Sequence, residues 1–242
     1  MKFYFRISFQ YGNNNRNLAD IFSLNVRRFF TIPETTWVAA EVYNDLAEWS
    51  SLPRSTIQIL LEIVASDIVQ ESYQLYIEES IGLDSFSSIA YLAITLAESE
   101  GEKLLDPVTP LTSKILETML FLLNSEISSR TFNFWISFAE ASVDIGDGHQ
   151  GDVWLQRALP ILLEISSWRE DIDQEEWSGY RIDVVEVFEG ICEVLEFETI
   201  NPVVTNWLEA ATRREDTQEK MLVLQTSMIF SNIRLWRQRY SS

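Results

Sequence analysis

Side chains able to do chemistry are few in this sequence, and those present stand apart. The single histidine, His149, lies between Gly148 and Gln150 with no cysteine or second histidine near it. A zinc site needs several such ligands, and a nucleophilic triad needs a base set beside its nucleophile. The single cysteine, Cys192, has Ile191 and Val194 beside it and reads as a core residue rather than a nucleophile. One thiol rules out an intramolecular disulfide and suits a reducing compartment. Gly146-Asp147-Gly148 is too short and too acidic to cradle phosphate, and the aspartates of 144–152 lack the spacing of a calcium loop. The expectation is a protein without catalytic residues, cofactor or metal, hence not an enzyme.

The densest group of ionisable residues is Arg169, Glu170, Asp171, Asp173, Glu175 and Glu176, bracketed by Trp168 and Trp177. Carboxylates this close can do acid–base work, but a charged run in a loop is more often solvated or turned to a ligand. An arginine meets a carboxylate bidentately and lays its guanidinium on an aromatic face. Glu170, Asp171, Asp173, Glu175, Glu176 and Trp177 are therefore the candidate residues for binding a basic protein segment. The alternative puts both tryptophans in the core and leaves the acids in water.

The elements that must hold this group are helices. Residues that are nearly all apolar recur at helical spacing: Leu111, Ile115, Met119 and Leu122; Trp154, Ala158, Leu162, Ile165 and Trp168; Trp177, Arg181, Val184, Phe188, Ile191 and Leu195; Met221, Leu224, Met228, Asn232 and Leu235. No segment sustains the alternation of a strand, and the 8 glycines and 6 prolines are too few for the frequent turns of a β-sandwich. The spacing predicts helices over 34–50, 53–80, 84–100, 110–124, 126–143, 152–168, 174–198, 201–212 and 215–237. Pro53 and Pro110 stand at helix starts, Asp84 and Asp152 are placed to cap, and Asn201-Pro202 opens a further helix. Pro160 falls inside a helix and should kink it. Helix pairs stepping every ~40 residues predict an all-α, HEAT-type α-solenoid, a right-handed stack of antiparallel pairs. Residues 34–242 would hold about four to five such pairs, with 1–33 unplaced; a closed helical bundle is the alternative.

Charge narrows the partners. The net charge is −19, and residues 34–200 alone hold 32 Asp/Glu against 7 Lys/Arg. Such a body repels a nucleic-acid backbone and draws basic proteins from a distance. No apolar run approaches the ~20 residues of a membrane span; the best, Ile115 to Leu123, carries Glu117. MKFYFRISFQYG at the start lacks the apolar core of a signal peptide, so a soluble, non-secreted protein is expected.

Several stretches resemble, in order, the importin-beta family of nuclear transport receptors, in its transportin-three and importin-thirteen branch. Ser129–Trp135 (SRTFNFW) resembles that branch's Phe-Asn-Phe-Trp helix, and Leu155–Ser166 (LQRALPILLEIS) the helix after it. Asp173–Leu195 is similar to its acidic run leading into a long helix, with Trp177, Tyr180 and Arg181 in the aromatic, aromatic and arginine places. Asp45–Ser51, Phe86–Leu105 and Glu219–Ile233 resemble helices of flanking repeats. The resemblance spans roughly residues 41–236 and implies a HEAT superhelix that shuttles between nucleus and cytoplasm through the nuclear pore. It implies basic or Arg/Ser-rich cargo and possible nucleoporin contact. The family's Ran-GTP-binding N-terminal repeats have no counterpart here, so Ran is implied as a partner only where such repeats are supplied. A protein-binding scaffold outside transport is the other reading.

Overall fold

Where the structure describes the chain, helical periodicity in the sequence becomes helix. The computed structural model describes residues 25–31, 33–49, 52–105, 109–145, 150–166 and 174–213, and every regular element among them is helical. In order these are α1 (residues 25–30), α2 (Pro33–Trp49), α3 (Arg54–Val64), α4 (Ile68–Ile77), α5 (Leu83–Ser99) and α6 (Gly101–Leu104). There follow α7 (Pro110–Leu123), a 3-10 turn η1 (Ser128–Thr131), α8 (Phe132–Ile145), α9 (Gly151–Ile165), α10 (Gln174–Val194) and α11 (Phe197–Arg213). The helix expected over 215–237 and its stripe lie outside the described residues. The chain divides into two units, Met1–Leu92 and Ala93–Ser242, with the division inside α5.

In the first unit, Arg27 of α1 pairs with Glu62 of α3. Asn44 of α2 donates through Nδ2 to the Ser88 carbonyl of α5 at 3.2 Å. Phe86 is fully buried and takes the rings of Tyr73 and Tyr76 at 5.2 and 5.8 Å. Ala40, Tyr43, Leu60, Val64 and Val69 complete this core, where burial pushes the Tyr43 phenol up to about 12.

The single helix expected over 53–80 is two. After Val64 the Ser66 amide and hydroxyl both bond back to the Ile63 carbonyl, and Asp67 leaves the helix at ψ 8° while its carbonyl accepts from the Glu71 amide at 2.8 Å. Serine and aspartate compete locally for backbone partners, and the apolar spacing simply runs on across the joint. Helix α4 ends with Glu79 at φ 56°. The Ser80 amide bonds the Leu75 carbonyl and the Glu79 amide the Tyr76 carbonyl, a Schellman ending with glutamate where glycine is favoured.

In the second unit, α8 packs most extensively on α10, α9 on α11, and α7 on α9; the successive pairs α8/α9 and α9/α10 touch less. Tyr180, early in α10, meets Ser128 and Phe132 before and at the start of α8, whereas a Cβ on Gly190 would lie 3.8 Å from the Ala139 Cβ further along. The two helices therefore run in the same direction, and the small pair Ala139/Gly190 lets their backbones come close.

Several starts differ from expectation. Asp84 and Asp152 sit inside the first turns of α5 and α9, where they favour the positive helix end without capping it. The segment expected as helix from 126 first makes the 3-10 turn η1, then becomes α-helical at Phe132. Helix α11 begins at Phe197, not at Asn201-Pro202, because burying Ile200 and Val204 one turn apart winds the chain earlier. The Glu196 carbonyl accepts from Thr199 and Ile200, and Pro202 lies within the helix. Pro110 opens α7 as expected, behind a Thr109 side chain that accepts from the Thr112 amide at 3.1 Å. Pro160 lies inside α9.

Candidate protein-binding surface

One side of α8 and α10 is interior. Phe134, Trp135 and Phe138 are buried with mutual ring distances of 5.1 to 6.0 Å. From α10 come Trp177, Val184, Val187, Phe188, Ile191 and Cys192, all buried. Tyr180 joins the helices: its hydroxyl lies 2.8 Å from Ser128 Oγ, its ring 5.5 Å from that of Phe132, and Trp177 stacks on it at 5.4 Å. The segments Ser129–Trp135 and Trp177–Arg181, far apart in sequence, are thus brought together. Arg181 is half-buried, and loss of hydration lowers its guanidinium pKa.

The other side is acidic. Glu140 and Asp144 of α8 and Asp183, Glu186, Glu189 and Glu193 of α10 are all exposed. Helices α8 and α10 together carry eight carboxylates and one guanidinium, that of Arg181. Helices α7, α9 and α11, which pack on one another in turn, carry five carboxylates and three cations. Carboxylates three and four residues apart repel by roughly 0.2–0.5 kcal/mol per pair, so the α10 stripe works against its own helix and a cationic ligand would relieve it. Ile182, also exposed, adds an apolar contact beside Asp183.

Of the residues singled out in the sequence, Glu170, Asp171 and Asp173 lie outside the described residues, as do Trp168 and His149. Glu175 and Glu176 fall in the first turn of α10. Trp177 is buried against Tyr180 and offers no open face. Cys192 is in the core, as expected. Among the described residues, no three His, Cys, Asp or Glu are grouped to hold a metal ion, and no helix is long and apolar enough to cross a membrane.

Two features escaped the sequence reading. One is the α8/α10 acidic face, whose signal was the spacing 183, 186, 189, 193 on a single helix. The other is a groove of about 360 Å³ between α9 and α11, lined by Pro160, Leu163, Glu164, Val203, Asn206 and Trp207. The α9 end of the unit is tied down by Gln150. It is buried, donates through Nε2 to the Leu104 carbonyl at 2.8 Å and accepts from Trp154 Nε1 at 3.2 Å, while Arg157 lies 4.3 Å over the Trp154 ring. Comparison with protein-family models, with curated proteins and with solved structures gives no match to the chain.

Proposed function

We propose that the chain is a protein-binding α-solenoid segment of the nuclear-transport-receptor kind, which holds basic, arginine-rich cargo on an acidic face and acts by binding rather than catalysis. The observation that carries this reading is the segregation of charge, with carboxylates gathered on α8 and α10 and nearly balanced charge on α7, α9 and α11. The solenoid part draws support from packing in the second unit. Each helix there leans mainly on the next but one, in the same direction for α8 and α10, whereas a closed up-and-down bundle favours successive neighbours. The transport part, with shuttling between nucleus and cytoplasm, rests on the ordered resemblance of residues 41–236 described above.

The test is titration of an Arg/Ser-rich peptide across a salt series. The native chain is compared with an Asp183→Asn/Glu186→Gln/Glu189→Gln variant and an Asp171→Asn/Asp173→Asn/Glu175→Gln/Glu176→Gln variant. Neutralising the binding carboxylates should weaken affinity and flatten its salt dependence, and the two variants divide the effect between helix face and loop. Equal binding by all three chains refutes the acidic-surface reading. Import of labelled cargo into nuclei of permeabilised cells then separates a carrier from a scaffold.

A further inference from the structure

We propose that the groove between α9 and α11 receives a single arginine side chain of the bound protein, an inference that rests on the basic partner argued above and gives it a specific anchoring point. Pro160, Leu163 and Val203 supply apolar walls, and Trp207, half-buried, supplies an aromatic surface. Glu164 and Asn206 are exposed at the rim. The lining residues include no lysine or arginine. Charge complementarity therefore selects a cation, and the aromatic surface selects among cations. A guanidinium is planar, lies flat on an indole and still presents donors in its plane to a carboxylate and an amide oxygen; a lysine ammonium cannot do both at once. A volume of about 360 Å³ admits one such side chain with water, not a folded element.

The experiment uses the full chain and two peptides of equal length and charge, one built on arginine and one with every arginine replaced by lysine. The native chain should prefer the arginine peptide by about fivefold. Glu164→Gln, an exposed and nearly isosteric change, should weaken arginine-peptide binding about fivefold to tenfold without moving the unfolding midpoint. Trp207→Leu keeps an apolar wall, loses the aromatic surface and should bring the arginine preference close to one. If both variants keep the native preference, or if the native chain shows none while still binding, the groove is not an arginine site and the acidic-face reading stands alone. If the native chain binds neither peptide, both readings fall.

Discussion

Replacing Gln150 by alanine should destabilise the second unit by roughly 2 kcal/mol. The amide of this buried side chain bridges two groups that no helix satisfies in the ordinary way: the Leu104 carbonyl at 2.8 Å and the Trp154 indole N–H at 3.2 Å. It stands at the N-cap of α9 without capping it, so its side chain is committed to the bridge. Truncation leaves both partners buried and unpaired, at roughly 1–3 kcal/mol each. Against this, freeing a glutamine from a fixed rotamer returns about 1.5–2 kcal/mol. The assay is urea unfolding followed by near-ultraviolet circular dichroism, and the transition to watch is that of residues 93–242, which hold all three groups. The midpoint should fall with the slope unchanged. A double-mutant cycle with Trp154→Phe, which removes the indole donor, should show a coupling of about 1 kcal/mol. A loss below about 0.5 kcal/mol, or strict additivity with Trp154→Phe, would show that the bridge contributes nothing.

Two further outcomes are expected. Glu79→Gly should stabilise the first unit by about 0.5–1 kcal/mol, since a non-glycine residue at φ 56° carries a Cβ strain that glycine lacks; thermal unfolding checks this, and a lowered midpoint refutes it. Glu98 is exposed on α5 yet its carboxyl is partly desolvated by its neighbours, which raises it above its ordinary value of 4.5. Its folded pKa thus exceeds its unfolded one, and its contribution to stability is complete below the unfolded value and lost as pH rises through the folded one. Glu98→Gln should accordingly be more stable than the native chain at neutral pH and equal to it in acid; a gain independent of pH rejects the assignment.

The helices were legible because each buries a stripe of apolar residues at a period of 3.6, as Ile115, Met119 and Leu122 do in α7. Their joints were not. The break at Ala65–Asp67 carries neither glycine nor proline, and the one at Leu195–Glu196 lies ahead of Pro202, where the sequence signals a helix start. Local hydrogen bonds by Ser66 and the pull of Ile200 into the core decide these points, and neither disturbs the apolar rhythm. For the surface, density along the sequence drew the reading to 170–176. Density on a helix face is a different quantity: Asp183, Glu186, Glu189 and Glu193 are spread through the sequence yet share one side of α10. The α9/α11 groove needed knowledge that residues near 160 face residues near 206, and no local pattern states which helices are neighbours.

The burial of Cys192 has a use of its own. As the chain's single thiol, held in the core on the inner side of α10, it can be labelled only when that helix opens. Under native conditions the modification rate is the opening equilibrium multiplied by the intrinsic reactivity of an unprotected thiol, so it reads the free energy of opening at one known place. Followed against denaturant, it distinguishes α10 lifting from α8 by itself, with a shallow dependence, from loss of the whole unit, with a steep one. A ligand that bridges the two helices across their acidic face would slow this reaction in proportion to its occupancy. The sequence thus carries an internal gauge of whether its helices come apart singly or together, with no label to be engineered in.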